Sequence, residues 1–311
     1  MIYDVIIIGS GPAGLASSLY TSRSRLKTLV FENPYLMSQA AYADNIENYP
    51  GFPGGISGME LLEKFKEQSK NFGTELIYQE VENIKRDKNC FKITTKEKKK
   101  FESLSLIIAS GSRPRKLNIP GENELCGKGV SYCATCDAAF FKDKEAIVVG
   151  GGNAACEEAL FLTNFASKVK LIHRRNRLRA VEVLQERIFS NKKIEVIWES
   201  EPIEIYGSQK VEAVKIKHKK TNKEKIIDCQ GIFILIGQIP NTEFLKEILK
   251  LDKDGYIICD EELRTSLEGV FACGDCRKKM LRQVVTGCGD GAVAAMSSYH
   301  YINRLKGTEY K

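Results

Sequence analysis

The sequence lacks a membrane-spanning segment, because none of its apolar runs approaches the roughly 18 residues that a transmembrane helix needs. Its first residues, MIYDVIIIG, lack the positive region and the small-residue cleavage site of a secretory signal, so we expect a cytoplasmic protein. The lysine runs at 96–100 and 215–225 lack interleaved aromatic residues, which favours solvated hairpin tips over a nucleic-acid surface. We therefore expect neither a membrane nor a nucleic acid as partner.

The composition is that of an ordinary globular protein, with 43% hydrophobic and 28% charged residues. A chain of 311 residues is long enough for two domains. Its ten cysteines should be mostly reduced in the cytoplasm. Five of them lie in or beside apolar runs and are interpreted as small packing residues: Cys90, Cys156, Cys229, Cys259 and Cys288.

Two segments of the chain resemble each other. Each has the pattern of a strand, a glycine-rich turn, a helix and a second strand; they run from Asp4 to Glu32 and from Ala146 to Arg175. This order is typical of a βαβ unit. One such glycine motif is weak evidence, but two of them, each between a strand and a helix, indicate two dinucleotide sites.

The small residues of the two turns have physical roles. The first allows the tight turn, the second lets a pyrophosphate approach the backbone, and the third lets the helix pack on the strand. The helix start then offers N–H groups to the phosphates. At matching positions the two turns have Gly9, Gly11 and Gly14, and Gly150, Gly152 and Ala155.

The two sites differ at the end of the second strand. Glu32 stands there in the first unit, and a carboxylate accepts hydrogen bonds from the ribose hydroxyls of FAD or NAD. The second unit has His173 at the matching position, followed by Arg174, Arg175 and Arg179. Guanidinium groups bind phosphate, so this unit suits NADP(H). Two such sites predict a flavoprotein that takes hydride from a nicotinamide.

The remaining segments predict how the domains are arranged. Strands that begin near 106, 232 and 269 each end in a glycine turn, and the third reaches Asp275, where a carboxylate is placed to hold a ribityl hydroxyl. Proline and polar residues near 113 and 240 mark a double linker. We predict an α/β protein with two Rossmann-like, three-layer dinucleotide-binding domains, the second inserted into the first. The expected bounds are 1–114 with 242–311, and 115–241.

Cys133 and Cys136, followed by Asp137, have several interpretations. A structural zinc site needs four ligands, and the other C-x-x-C pair, Cys273 and Cys276, is far away in sequence, so no metal is expected. Inert packing is a second interpretation. A flavin and a hydride donor in one chain favour a redox disulfide, with Asp137 as general acid or helix N-cap. We interpret the pair at 273 and 276 as core residues, with an accessory thiol pair as the alternative.

Along nearly its whole length the sequence resembles the low-molecular-weight, bacterial-type thioredoxin reductases. The CATCD element between two nucleotide-binding units is specific to this family. The matching motifs are GSGPAG at 9–14, ENYPG at 47–51, CATCD at 133–137, GGGNAA at 150–155, HRR at 173–175, GD at 274–275 and LRQ at 281–283.

The resemblance implies FAD in the first domain, NADPH in the second, and homodimers. It also implies rotation of one domain against the other, with a hinge near Arg113 and Pro240. The substrate would be the disulfide of a thioredoxin or thioredoxin-like protein. Cys136 would be the sulfur on the flavin side, and Cys133 would attack the partner's disulfide.

The same resemblance implies the residues of both cofactor sites. The implied FAD contacts are Gly9, Gly11, Pro12, Ala13, Gly14, Glu32, Gln39, Asn48, Ala109, Gly111, Gly274, Asp275, Arg282 and Gln283. The implied NADPH contacts are Gly150, Gly152, Asn153, Ala155, His173, Arg174, Arg175 and Arg179.

The sequence departs from the family at 37–40, where MSQA replaces the usual Gly-Gly-Gln-Leu and only Gln39 remains. Some relatives take electrons from ferredoxin, but the intact HRR and glycine motifs argue against that donor. The sequence also leaves open NADH as donor, a reductase that serves a peroxidase system, and a redox-sensing flavoprotein without turnover. The chain begins at its first strand, so we expect a separate partner protein.

Overall fold

The computed structural model describes residues 2–43, 46, 48–88 and 90–308, except for the side chains of Thr135 and Cys136. The chain forms two compact units. Unit 1 comprises Met1–Arg113 and Ile239–Lys311, and unit 2 comprises Pro114–Gln238. The predicted α/β fold, with the second unit inserted into the first, is confirmed.

Strands and helices alternate along much of the chain. The strands are β1 (Ile2–Ile8), β2 (Thr28–Glu32), β3 (Glu75–Tyr78), β4 (Val81–Asp87), β5 (Cys90–Thr95), β6 (Lys100–Ile108), β7 (Ser112–Pro114), β8 (Val130–Ser131), β9 (Glu145–Gly150), β10 (Lys168–Ile172), β11 (Ile194–Ile197), β12 (Ser200–Tyr206), β13 (Ala213–His218), β14 (Glu224–Asp228), β15 (Gly231–Leu235), β16 (Gln238–Pro240) and β17 (Val270–Ala272). The helices are α1 (Pro12–Arg23), α2 (Gly58–Lys70), α3 (Ala134–Asp137), α4 (Asn153–Leu162), α5 (Glu182–Ser190) and α6 (Val284–Lys306). Within the described ranges, no helix combines the length and the apolar character that crossing a bilayer requires.

Unit 1 is organised around a parallel sheet with the order β3-β2-β1-β6, with β17 also parallel to β6. β5 and β4 continue from β6 in antiparallel pairing. Alternate residues of β1 serve two faces of the core, as the pleat requires. Val5 and Ile7 lie in the cluster that includes α6, whereas Ile6 and Ile8 lie in the cluster that includes β4 and β5. Burial on both faces explains why β1 is almost continuously apolar.

Unit 2 has three layers. Its parallel sheet has the order β11-β10-β9-β15-β8, and β12, β13 and β14 form a separate antiparallel sheet. Ala146 and Val148 of β9 pack in the cluster with α4 and α5. Ile147 and Val149 pack in the cluster with the antiparallel sheet. The parallel sheet therefore lies between a helical layer and a second sheet.

The chain leaves and re-enters unit 1 through two short strands. β7 and β16 pair as a two-stranded sheet, and they contain the predicted hinge residues Arg113 and Pro240. The Arg113 guanidinium donates to Asn241 Oδ1 at 2.7 Å and to Glu243 Oε1 at 2.8 Å. The hydrogen bond from Arg113 is the main cause of the lowered pKa of Glu243. The hinge itself stays a prediction.

Helices α1 and α6 approach each other closely because both carry small residues at their contact. Gly291 of α6 is buried, and a Cβ atom there would meet the carbonyl oxygen of Ala13 and lie 3.0 Å from the amide nitrogen of Ser17. The Ser17 hydroxyl also donates to the carbonyl of Gly291 at 3.0 Å. This contact places the start of α1 against α6.

We predict that Gly291→Ala destabilises unit 1 by about 1–3 kcal/mol, because the new methyl group must displace backbone atoms. The midpoint of urea-induced unfolding measures this change. Gly289→Ala is the matched control, since Gly289 is an exposed residue of the same helix whose Cβ would meet no atom within 4 Å. That variant should be neutral or gain up to about 1 kcal/mol. Equal midpoints for the two variants would contradict the close contact.

Candidate active site

The first glycine turn connects β1 to α1 in unit 1. Gly9 has a φ of 114°, a conformation that favours glycine, and a Cβ there would collide with the Ala109 carbonyl. A Cβ on Gly14 would collide with the Gly9 carbonyl. Gly11 is the N-cap of α1, with Pro12 in the first helical position and no side-chain cap. The turn therefore presents helix N–H groups that no capping side chain satisfies, which suits a pyrophosphate.

Glu32 lies at the end of β2, and only one of its two carboxylate oxygens has a hydrogen-bond partner in the protein. Its Oε1 accepts a hydrogen bond from Lys66 Nζ at 3.1 Å, whereas its Oε2 is buried without a hydrogen-bond partner. Burial alone would lower the pKa of Lys66, but its bonds to Glu32 and Glu63 raise it, so Lys66 stays a cation. A buried acceptor without a partner costs free energy unless a ligand donates to it. Ribose hydroxyls are such donors. The sequence had not indicated Lys66 as a partner of Glu32.

Four predicted FAD contacts lie in the segment that precedes α6. Gly274 and Asp275 lie on a short 3-10 helix, and a Cβ on Gly274 would lie 2.8 Å from Cβ of Ala13. Burial raises the pKa of Asp275. Arg282 stacks 4.3 Å from the ring centre of Tyr256, and its Nε is buried without a hydrogen-bond partner. Gln283 Oε1 accepts from Asn48 Nδ2 at 3.0 Å.

The other predicted FAD contacts are less closely grouped. Gln39 is exposed on a short 3-10 helix, and the adjacent Ser38 Oγ would lie 3.2 Å from a Cβ on Gly11. A side chain at Gly11 would therefore crowd Ser38, which belongs to the MSQA segment. Gly111 has a φ of 67°, and its carbonyl accepts from the Asn241 amide at 3.0 Å. Of the ENYPG motif, Glu47 lies outside the described residues.

A carboxylate that the sequence had not indicated supports the Gly274 turn. Asp290 Oδ2 accepts from the Gly274 amide at 3.0 Å, from Arg277 Nε at 2.9 Å and from Lys279 Nζ at 2.6 Å. Its Oδ1 accepts from Arg277 Nη2 at 2.8 Å. Burial alone would raise the pKa of Asp290, but the hydrogen bonds from Arg277 and Lys279 outweigh it and lower the pKa. A single acid in a Gly/Ala-rich helix was the only sequence signal for this cluster.

The second glycine turn connects β9 to α4 in unit 2. Gly152 is the N-cap of α4 without a side-chain cap, as Gly11 is in unit 1. A Cβ on Gly150 would lie 2.5 Å from Cβ of Ala155 and from the Leu235 carbonyl oxygen. The following loop folds back over the turn, because the Arg179 amide donates to Gly151 O at 2.6 Å and the Val181 amide donates to Asn153 Oδ1 at 3.0 Å.

The predicted phosphate-binding residues fall into two groups. Arg174, Arg175 and Arg179 are exposed, and Arg177, which the sequence had not indicated, is exposed as well. His173 is buried beneath Gly151, where a Cβ would collide with its ring, and its Nε2 has no hydrogen-bond partner. Burial, and then the charges of the neighbouring arginines, lower the pKa of His173. Its neutral ring supports the turn, and direct phosphate contact by His173 stays a prediction.

The cysteine segment lies between β8 and the next 3-10 turn. Cys133 is disulfide-bonded, and its amide donates to Ser131 Oγ at 3.1 Å. The side chain of Cys136 lies outside the described residues, so its pairing with Cys133 stays a prediction. Asp137 ends α3 and stands at the N-cap position of the 3-10 turn that follows, with no side-chain cap hydrogen bond there. Its role as general acid stays a prediction.

Two carboxylates contact the residues on either side of Cys133, Tyr132 and Ala134. Glu122, 1% exposed, accepts from the Tyr132 hydroxyl at 2.8 Å and from the Leu117 and Asn118 amides at 3.0 and 2.6 Å. Burial and the bond to Glu122 raise the pKa of Tyr132. Glu158 of α4 accepts a hydrogen bond from the Ala134 amide. The sequence had indicated neither carboxylate.

The second C-x-x-C pair is part of the core. Cys273 and Cys276 are free and fully buried. Cys273 Sγ lies 3.6 Å from Ser17 Oγ, and Cys276 Sγ lies 3.5 Å from the Ile108 carbonyl. Burial raises the pKa of both thiols, that of Cys276 to about 11, which keeps them protonated and unreactive. The described side chains contain no His/Cys/Asp/Glu cluster that could hold a metal.

Comparisons with known proteins agree with this geometry. A family model described as pyridine nucleotide-disulphide oxidoreductase matches residues 3–291. A Listeria innocua protein named thioredoxin reductase is 45% identical over 306 residues, which cover 98% of this chain and 95% of that protein. A Bacillus subtilis protein of the same name is 44% identical, covering 99% and 97%. The solved thioredoxin reductase of Lactococcus lactis superimposes with a TM-score of 0.81 at 45% identity, covering 97% and 100%.

Two glycine-turn units with an inserted disulfide-bearing segment define a two-domain, dinucleotide-binding oxidoreductase. The chain belongs to the pyridine nucleotide-disulphide oxidoreductase family. The predicted resemblance to the bacterial-type thioredoxin reductases is confirmed. Membership of this family implies the use of a flavin and a nicotinamide nucleotide.

We predict that Asp290→Asn destabilises unit 1 by about 3 kcal/mol near neutral pH, because Arg277 and Lys279 lose their buried counter-ion. Chemical unfolding of the flavin-free protein measures this loss. Glu82→Gln is the control, since it breaks only the exposed ion pair with Lys98 and should barely move the midpoint.

The difference in the free energy of unfolding between wild type and Asp290→Asn should depend on pH. The folded-state pKa of Asp290 is lowered, so its contribution to stability is complete above the unfolded-state value of about 3.9 and is lost as the pH falls through the folded-state pKa. The difference between wild type and Asp290→Asn should therefore narrow below about pH 4. A constant difference down to pH 2 would contradict the ion-pair assignment.

Proposed function

We propose that this protein is a thioredoxin-disulfide reductase. It would use NADPH to reduce the disulfide of a thioredoxin-like protein, with FAD as bound cofactor and Cys133 and Cys136 as its redox disulfide. The observation that carries the proposal is the disulfide-bonded Cys133, inserted in a chain with two dinucleotide turns. The relatives named thioredoxin reductase, which match almost the whole chain, support the same reaction class.

Unit 1 is proposed to hold FAD. The start of α1 fits the pyrophosphate, the unpartnered Oε2 of Glu32 fits a ribose hydroxyl, and the loop with Gly274 and Asp275 fits the ribityl chain. The turn glycines leave room for the backbone to approach the phosphates. When bound, FAD supplies two-electron chemistry between a reduced nicotinamide and a disulfide.

Unit 2 is proposed to hold NADPH. The start of α4 fits its pyrophosphate, and the exposed guanidinium groups of Arg174, Arg175 and Arg179 fit the 2′-phosphate. The loop that carries them is tied to the turn through Arg179 and Gly151. No acidic residue stands at the position where Glu32 stands in unit 1, which supports NADPH over NADH.

The cysteines are proposed to exchange disulfides with the partner. The Cys133 thiolate attacks one partner sulfur, the partner's S–S bond breaks, and the released partner thiolate takes a proton, for which Asp137 is the proposed donor. Cys136 then attacks the Cys133 sulfur of the mixed disulfide, which restores the internal disulfide and releases the second partner thiolate. The partner leaves as a dithiol, reduced by two electrons. We also expect a homodimer and a domain rotation about β7 and β16.

The first experiment is an anaerobic titration of the purified protein with NADPH, followed by oxidised thioredoxin. Loss of flavin absorbance and its return on adding thioredoxin are the expected results. Bleaching without return would mean another disulfide partner or a redox sensor without turnover. No bleaching by NADPH, with bleaching by dithionite, would overturn the proposed donor and make NADH and reduced ferredoxin the next donors to test.

We predict that Cys136→Ser leaves NADPH reduction of the flavin intact and abolishes thioredoxin turnover, because no internal disulfide can form. Stopped-flow absorbance and a steady-state NADPH oxidation assay measure the two steps separately. Cys126→Ser is the control, since Cys126 is an exposed free thiol outside the pair, and this variant should keep turnover. Retained turnover in Cys136→Ser would refute its redox role.

We predict that Arg175→Ala raises the KM for NADPH about tenfold or more, because a hydrogen bond to a charged group contributes about 1.5–3 kcal/mol. The KM for NADH should stay within about twofold, since NADH lacks the 2′-phosphate. Steady-state kinetics with both nucleotides provides this internal control. Parallel changes in both KM values would contradict phosphate recognition by Arg175.

A further inference from the structure

Helix α4 connects the dinucleotide turn of unit 2 to the cysteine segment. It begins directly after Gly152, and its residue Glu158 reaches the backbone next to Cys133. The Glu158 carboxylate accepts the amide hydrogen of Ala134, which belongs to the peptide that directly follows Cys133. The preceding amide, that of Cys133 itself, is held by Ser131 Oγ at 3.1 Å. Two successive peptides at the disulfide are thus fixed by side chains of unit 2.

The contact with Glu158 differs in chemistry from the contact with Ser131. A serine hydroxyl stays neutral at every pH at which the protein is folded, whereas a carboxyl group is neutral or negative. Glu158 is partly buried, and burial raises its pKa to about 7; the Ala134 hydrogen bond opposes this rise and Glu157 adds to it. The group therefore changes charge near neutral pH, and it does so at the peptide that follows the cysteine whose sulfur must become a thiolate to react.

The titratable groups around Glu158 come from several elements. Glu157 is its neighbour on α4, and the segment packed against α4 brings Cys133 and Asp137. The other elements packed against α4 also carry titratable groups. These are Glu182, Glu186 and Arg187 on α5, Glu145 on β9, and Lys168 and Lys170 on β10.

We propose that Glu158 is a positioning residue of the redox disulfide: its carboxyl group fixes the Cys133–Ala134 peptide, and its protonation is coupled to that of the Cys133 thiol. This inference rests on the proposed function in pairing Cys133 with Cys136 and in assigning Cys133 as the attacking thiol. When two electrons reduce the disulfide, one sulfur takes a proton from solvent and becomes a thiol. The other sulfur stays a thiolate. A negative Glu158 disfavours the thiolate, and a neutral Glu158 does not.

The test measures the reactivity of Cys133 directly. In a Cys136→Ser background, Cys133 is a free thiol, and its rate of alkylation by iodoacetamide is followed from pH 5 to pH 10. Mass spectrometry resolved by peptide is needed because Cys126 is also an exposed thiol. With Glu158 present, we expect two inflections in the pH profile, because the two groups titrate as a coupled pair.

Adding Glu158→Gln should leave one inflection, with its midpoint about one pH unit below that of the thiol inflection in the Cys136→Ser parent. The reason is that the amide keeps an oxygen that accepts from Ala134 but carries no charge. The matched control is Glu157→Gln, which removes the same charge from the exposed neighbour and should keep both inflections. A profile in Glu158→Gln that equals that of its parent would overturn the proposal. Circular dichroism of each variant tests whether it is folded. If Glu158→Gln does not fold, Glu158→Asp replaces it, and its alkylation profile should keep two inflections. A single inflection in the profile of Glu158→Asp would overturn the proposal.

A second measurement uses the full chain with both cysteines. The pH profile of kcat for thioredoxin reduction should lose its inflection near pH 7 in Glu158→Gln and keep it in Glu157→Gln. Wild type that reduces no thioredoxin would refute the proposed function without bearing on the alkylation profile. An active wild type whose kcat profile is unchanged by Glu158→Gln would instead refute the coupling alone.

Discussion

Both units depend on helix starts that no side chain caps. Gly11 and Gly152 precede α1 and α4 in extended conformation, and neither helix has a side-chain cap for its first amides. Such a helix start carries partial positive charge and favours an anion. The strand before each turn is buried, and small residues let the following helix pack against it. The parallel sheets therefore place two glycine turns by the same construction, each suited to a phosphate.

The two turns are distinguished by what stands at the next strand end. In unit 1, Lys66 occupies one oxygen of Glu32 and leaves the other buried without a donor, which suits an unphosphorylated ribose. In unit 2, a neutral, buried His173 supports the turn while arginine side chains extend into solvent. The common fold thus presents different side chains at the two matching strand ends, a carboxylate in unit 1 and a buried imidazole followed by exposed arginines in unit 2.

The cysteine segment is held by hydrogen bonds to polar side chains. Ser131, Glu122 and Glu158 hold the residues on both sides of the disulfide-bonded Cys133. By contrast, the thiols of Cys273 and Cys276 are fully buried, and burial raises their pKa values. The two C-x-x-C segments therefore differ in environment, and a thiol reacts only where its thiolate is stabilised.

The sequence by itself determined the two βαβ units, their glycine turns, the inserted unit and the cysteine pair, because strand periodicity and turn chemistry are local properties. Only the tertiary structure decided which side chains complete the sites. Asp290 reaches back to Gly274, Lys66 of α2 reaches Glu32, and Glu158 reaches Ala134. Each of these contacts joins elements separated in the chain. Side-chain pairing across packed elements leaves no periodic or spacing signal, so it emerges only when the layers are assembled.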